Sequence, residues 1–206
     1  DVRGRAQTLK VNYRTSHQIR TTADLLLPKS VRDVDGIEEH RDQTVSAFNG
    51  PPPLISKYKM ATEEIAAVAA WIGKALEDGI RPEEIGIFVR DYDQLDRARG
   101  AASAAKCDVL GLSDRDEPAE KRISVGTMQL AKGLEFKAVA VMACDEEILP
   151  LQARIESVAD EIELDDVYET ERQLLYVACT RARDRLWISC IEPGSEFLKD
   201  LAGRAD

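Results

Sequence analysis

Apolar residues along the chain follow two periods in alternation. Short runs with every residue or every second residue apolar are followed by longer runs at helical spacing. "QTLKVNYR" (7–14) reads as a strand that ends in a polar turn. Ser16 follows it and suits the N-cap of a helix from about His17 to Leu27. Residues 28–53, with Pro28, Asp33, Asp35, Gly36 and "NGPPP", read as an irregular loop or linker. "PLISKYKM" is an alternating strand, and Thr62, Glu63 and Glu64 open the helix "EEIAAVAAWIGKALEDG", which Gly79 stops. "IGIFVR" (85–90) is apolar on both faces, which marks a central parallel strand. Asp91 suits the cap of a helix that runs to Ala105, and "CDVLGL" is a short strand.

The second half repeats the scheme. "RISVGT" (122–127) and "KAVAVMAC" (137–144) are strands on either side of a short helical turn, "QLAKGLEF". The acidic stretch 152–168 reads as a helix plus a loop. The helix "ETERQLLYVACTRAR" (169–183), the strand "RLWISC" and a helix near "GSEFLKDL" close the sequence. Strands alternating with helices imply an α/β fold, with a mainly parallel sheet covered by helices on both faces.

Composition narrows the picture. A chain of 206 residues with 44% hydrophobic residues suits a single domain, 1–206, with a real core. The net charge of -10 argues against binding nucleic acid by bulk charge, which needs clustered lysine and arginine. The four cysteines form no C-x-x-C pair, and Cys144, Cys179 and Cys190 sit in apolar segments as small core residues. That usage fits a reduced, cytoplasmic setting. His17 and His40 are far apart and no metal-ligand spacing occurs, so no metal site is expected. No apolar run approaches the ~20 residues of a membrane span. The start, which enters a strand almost at once, reads as a piece of a longer chain.

Polar clusters interrupt three strand ends: "NYRTS" (12–16), "GTMQLAKGLEF" (126–136) and "LYVACTRARDR" (175–185). In open parallel sheets, ligands bind at the carboxyl ends of strands, so these clusters are the candidates for chemistry. Taken singly, each has a plain reading. Tyr13 is a strand-end ring with its hydroxyl in water, Arg14 is a surface ion-pair partner, and Lys132 is a solvated helix residue. Taken together and in this order, the clusters resemble the three signature segments in the second RecA-like motor domain of superfamily 1 helicases of the UvrD/Rep/PcrA type. Those segments run N-Y-R-S, T-x-H-x-x-K-G-L-E-F and E-R-R-L-x-Y-V-x-x-T-R-A.

The resemblance implies a RecA-like (P-loop NTPase-like) three-layer domain and assigns roles residue by residue. Tyr13 would stack on adenine, and Arg14 would reach the γ-phosphate. Glu135 would meet the ribose hydroxyl. Gly133 would make a tight turn where a side chain collides with ligand or helix. Thr127, Gln129 and Lys132 would look toward nucleic acid or the nucleotide cleft, although histidine is usual where this chain has Gln129. Arg181 would be an arginine finger that stabilises charge on the phosphoryl group. Arg183 and Arg185 read as helix-end and strand-start charges that complement the helix dipole. Glu171 and Arg172 read as residues that form local ion pairs or orient the cleft.

The sequence contains no G-x-x-x-x-G-K-[ST] phosphate loop. In the family, that loop and the acidic pair that holds Mg²⁺ lie on the first RecA-like domain. The resemblance therefore implies half of an ATP–Mg²⁺ site, completed by an N-terminal RecA-like domain, and part of a track for single-stranded or partly duplex DNA. Alone, this half is expected to be inactive. The helical insertion usual between the first and second segments is absent or reduced to the region near 28–53. The alternative is a degenerate helicase-like domain used as a non-enzymatic interaction or regulatory module.

Overall fold

A computed structural model describes residues 10–27, 30–32, 38–40, 44–113 and 120–202. "IGIFV" forms strand β6 (Ile85–Val89), and all five residues are buried. Such a strand must be covered on both faces, and it is. It lies between β9 (Phe136–Val141) and β8 (Arg122–Thr127). The full sheet runs β5 (Leu54–Tyr58), β10 (Ala182–Ile191), β9, β6, β8, β7 (Asp108–Gly111), and every neighbouring pair is parallel.

The strand residues feed two cores. On one face Val68 and Ile72 of α2 (Ala61–Glu77) and Ala98 and Ala101 of α3 (Leu95–Ala104) pack with Ile87, Val89 and Ile123. On the other, Ile19 of α1 (His17–Asp24), Leu175 of α5 (Glu161–Cys179) and Phe197 of α6 (Phe197–Leu201) pack with Phe88, Val139 and Ile188. Each such Ile, Leu or Phe contributes about 1.5–3 kcal/mol by leaving water. Helix, sheet and helix make the three-layer α/β arrangement, with the parallel sheet covered on both faces, that the alternation implied.

Most element boundaries agree with the sequence reading. Ser16 caps α1, its hydroxyl accepting from the Ile19 amide at 3.4 Å. Asp91 accepts from the Gln94 amide, opening the turn into α3. Gly79, at φ +87°, follows α2.

Three regions differ. The described part of 28–53 is not wholly irregular. It holds β2 (Ser30–Arg32) and β3 (Glu38–His40), paired antiparallel, and β4 (Thr44–Ser46), which pairs parallel with β1 (Lys10–Asn12). Pro28, Asp33, Asp35, Gly36 and the start of the first strand at 7–9 lie outside the described residues. In the acidic stretch, α4 (Gln152–Glu156) is short, and α5 already begins at Glu161, where Asp160 accepts from the Glu163 amide at 2.9 Å. At its far end α5 stops at Cys179, earlier than the pattern implied. The Thr180 hydroxyl turns back to the carbonyls of Tyr176 and Val177, and β10 starts at Ala182. Arg183 and Arg185 are therefore strand residues, and the helix-end reading of Arg183 is corrected. Arg183 lies beside Asp184 and over the Phe48 ring, while Arg185 pairs with Asp78 at 2.7 Å.

One connection matters for the site. Only residues 128–135 join the carboxyl end of β8 to the amino end of β9, crossing β6. Buried Met128 and Ala131 fasten this short crossover to the core. It begins at one edge of the sheet and ends at the other. Among the described residues no helix is long and apolar enough to cross a membrane.

Candidate functional site

The first cluster turns outward because Asn12 bends the chain. Its side-chain oxygen accepts from the Arg14 amide at 2.8 Å, a local turn that ends β1 and leaves Tyr13 74% exposed. The next two residues are buried anchors. The Thr15 hydroxyl donates to the Thr180 carbonyl at 3.3 Å, and the Ser16 amide donates to the Arg183 carbonyl at 3.0 Å. These bonds hold the first cluster against the third.

The second cluster joins them. The Phe136 amide donates to the Arg181 carbonyl at 2.9 Å, which sets Glu135 beside Arg181. Arg14 and Glu135 form an ion pair. Gly133 sits at φ +83°, and a Cβ there would meet nothing within 4 Å. The expectation of a steric collision with the protein is therefore corrected: glycine serves the left-handed turn itself. Arg181 is held by neutral oxygens. Its Nε donates to the Val177 carbonyl at 3.1 Å, and its two Nη atoms donate to the Leu134 carbonyl at 3.3 Å and the Thr180 hydroxyl at 3.4 Å. Burial, with Arg14 nearby, pushes its pKa below the ordinary arginine value.

Tyr13, Arg14, Glu135 and Arg181 thus line one cleft of about 700 Å³. Arg20, Asp24 and Tyr176 line it too, and the sequence reading missed them. Arg20 and Asp24 are an i,i+4 pair on α1, 3.1 Å apart. Helical spacing was the available signal, since it puts both on the side of α1 that follows the first cluster.

The cleft is not at the carboxyl edge of the sheet, as expected. Glu135 immediately precedes β9 and Arg181 immediately precedes β10, so it opens at the amino edge. The short crossover explains this, because it separates the two halves of the second cluster. Thr127 and Gln129 stay at the carboxyl end of β8, while Gly133 and Glu135 arrive at the opposite edge. Thr127 is buried at 2% exposure, whereas Gln129 and Lys132 are exposed.

Two buried carboxylates also escaped the sequence reading as organising centres. Glu64, fully buried on α2, pairs with Arg97 and accepts from the Ala143 amide at 3.1 Å and the Ser189 hydroxyl at 2.7 Å. Glu171, fully buried on α5, pairs with Arg90 and Arg154. Burial pushes the Glu171 carboxyl up, and the Arg90 and Arg154 contacts outweigh it, leaving its pKa below the ordinary value. Arg172 forms an ion pair too, though its partner Asp200 lies 28 positions away on α6 rather than nearby in sequence. Among the described residues no group of three or more His, Cys, Asp or Glu is arranged to hold a metal ion.

Comparison with known proteins bears on this arrangement. Residues 107–193 match the UvrD-like helicase C-terminal domain family. That span holds Thr127, Gln129, Lys132, Gly133, Glu135 and Arg181, while Tyr13 and Arg14 lie before it. The putative ATP-dependent DNA helicase YjcD of Bacillus subtilis (strain 168) is 35% identical over 88 residues, 42% of this chain and 11% of that protein. The ATP-dependent DNA helicase UvrD1 of Mycobacterium leprae (strain TN) is 33% identical over 116 residues, 50% of this chain and 14% of that protein. The ATP-dependent DNA helicase PcrA of Staphylococcus aureus (strain COL) is 37% identical over 83 residues, 40% of this chain and 11% of that protein. The matches thus span only 11–14% of the length of these relatives. The crystal structure of the C-terminal domain of a possible DNA helicase from Lactobacillus plantarum WCFS1 superposes with a TM-score of 0.63 at 20% identity. It covers 92% of this chain and 94% of that one, and it bears on the fold alone. Over residues 107–193 the chain is thus similar to the C-terminal domain of UvrD-like helicases.

Proposed function

We propose that the chain is the C-terminal motor domain of an ATP-dependent DNA helicase or translocase working in the cytoplasm. It supplies one wall of an ATP site that an N-terminal RecA-like domain completes. The observation that carries this reading is the meeting of Tyr13, Arg14, Glu135 and Arg181 in one cleft, from segments up to 168 positions apart. An exposed ring, two guanidiniums and a carboxylate are the groups that suit a base, a phosphate chain and a ribose.

In this reading Tyr13 offers its open face to adenine. Arg14 exchanges Glu135 for a phosphate oxygen, and Glu135 turns to the ribose hydroxyl. Arg181, bound only to neutral oxygens, directs its charge at the phosphoryl group as negative charge develops there. Mg²⁺ would enter with ATP on ligands of the N-terminal domain. Contacts from Arg14 and Arg181 to a bound phosphate draw the two lobes together, and hydrolysis releases them. Gln129 and Lys132, exposed on the crossover, are the residues proposed to face single-stranded DNA, while Thr127, also expected there, is buried behind Gln129.

The test is DNA-stimulated ATPase in the full-length protein. Arg181→Ala should lower turnover by ~10³-fold or more, as loss of an arginine finger does. Equal rates for wild type and variant would remove the finger and favour a non-enzymatic module.

A further inference from the structure

At the sheet edge opposite the cleft, one buried carboxylate ties three segments together. Glu171 accepts from Arg90 Nε and Nη2, both at 2.5 Å, from Arg154 Nη1 at 2.8 Å and from the Leu151 amide at 3.3 Å. Arg90 leaves the end of β6 and is 3% exposed. Its third nitrogen, Nη1, meets Gln129. With the Gln129 amide oriented so that each atom faces a complementary partner, its oxygen accepts from Arg90 Nη1 at 2.5 Å. Its nitrogen then donates to the Arg90 carbonyl and to the Thr127 hydroxyl, each at 3.2 Å.

Every nitrogen of the Arg90 fork is thereby committed. A buried ion pair of this kind adds little stability over an apolar replacement, so its value lies in the geometry it fixes. That geometry joins two places of interest. Gln129 and Thr127 stand at the edge proposed to face nucleic acid. Glu171 stands on α5, ten residues before Arg181, or about 15 Å along the helix axis.

Gln129 also suits this place better than an imidazole. A neutral imidazole offers one donor and one acceptor, and a charged one offers no acceptor at all. The glutamine amide gives two donors and an acceptor, and here it meets three partners. The departure from histidine is therefore matched to Arg90.

We propose that Arg90 is a positioning residue. It holds Gln129, braced by the buried Thr127 hydroxyl, for nucleic acid and, through Glu171, ties that edge to the helix that presents Arg181. This inference rests on the function proposed above.

The experiment measures ATP turnover of the full-length protein against concentrations of single-stranded oligo(dT) and of ATP. Arg90→Lys should raise the oligo(dT) concentration for half-maximal stimulation about tenfold, within the usual range of coupling between sites. The KM for ATP should move far less. Because Arg90→Lys strikes a buried pair and can fail to fold, the exposed Gln129→Ala variant is measured beside it and should give a similar shift. The double variant should shift no further than either single one, since both break one contact. Additive shifts, or an unchanged half-saturation in Gln129→Ala, overturn the proposal. A wild-type protein whose ATPase ignores DNA overturns the function on which it rests, and this proposal with it. A normal wild-type response with an unaffected Gln129→Ala overturns the proposal alone.

Discussion

Arg14 and Glu135 pair across the mouth of the cleft, joining the residues just after β1 to the residue just before β9. Both side chains are more than half exposed, at 60% and 56%. An exposed pair contributes ~0–1 kcal/mol, so a phosphate can displace Glu135 at small cost. The same openness means that one wall cannot hold a nucleotide well. Calorimetry of the 206-residue chain with ATP should show binding no tighter than about 1 mM. A micromolar Kd would overturn the shared site.

Arg181 owes its orientation to its fork. Nε and both Nη atoms each find a separate neutral oxygen, on Val177, Leu134 and Thr180. A lysine ammonium on a flexible stem cannot hold these three directions. Arg181→Lys in the full-length protein should therefore lose ~10²-fold or more in DNA-stimulated ATPase, close to the alanine variant. Its melting temperature should stay within a few degrees of wild type, since no buried charge is orphaned. Lysine activity within fivefold of wild type would mean that charge alone matters there.

The order of elements was legible because it rests on local signals. The unbroken apolar run of β6, the capping side chains of Ser16 and Asp91, and Gly79 after α2 each speak within a few residues. The cleft residues were legible through motif spacing and resemblance. Their placement was not. It depends on a crossover of only eight residues, whose direction across the sheet no local pattern encodes. The bounds of α5 were misread for a related reason. Thr180 stops the helix through its own hydroxyl, and its sequence neighbours look equally helical. Arg20 and Asp24 carried only the helical i,i+4 spacing as a signal, whereas the Arg90–Glu171 pair was hidden because tertiary packing alone brings together residues 81 positions apart.

Glycine serves two purposes in this fold, and one substitution separates them. At Gly133 nothing stands within 4 Å of an added Cβ, but φ is +83°. Gly133→Ala should cost about 1–2 kcal/mol from backbone conformation alone. At Gly86 the backbone is ordinary strand, yet a Cβ would lie 2.8 Å from the Phe136 ring. Gly86→Ala should cost about 1–3 kcal/mol from overpacking. Urea midpoints measure both. Shortening Phe136 to leucine in the same chain should relieve Gly86→Ala and leave Gly133→Ala unchanged.

Glu64 is the other buried centre, and it binds β9 and β10 to α2 and α3. It receives the Ala143 amide, the Ser189 hydroxyl and the Arg97 guanidinium, which also reaches Asp145 at 2.6 Å. Glu64→Ala removes the acceptor for all three donors and leaves the partly buried Arg97 cation half-paired. The expected loss is about 3–5 kcal/mol, a large share of the ~5–15 kcal/mol typical of a domain. Denaturant unfolding should show it as a lower midpoint. A loss below about 1 kcal/mol would mean that Asp145 alone satisfies Arg97.

Glu84, at the turn into β6, gives the fold an acid-sensitive joint. Its carboxyl accepts from the Arg81 side chain and amide and meets Lys137 at 2.9 Å. The Arg81 contacts first, then Lys137, hold its pKa at about 2, against an ordinary value of 4.5. A carboxylate with a lowered folded pKa stabilises the fold fully above its unfolded pKa. That contribution fades as pH falls from 4.5 toward about 2. Asp78, lowered first by its bond to Arg185, acts in the same direction. Wild-type stability should therefore drop through this window. Glu84→Gln should start lower at pH 7 and fall less steeply with acid. Thermal melts across the window decide it: parallel curves for the two proteins would show that Glu84 titrates alike in the folded and unfolded chain.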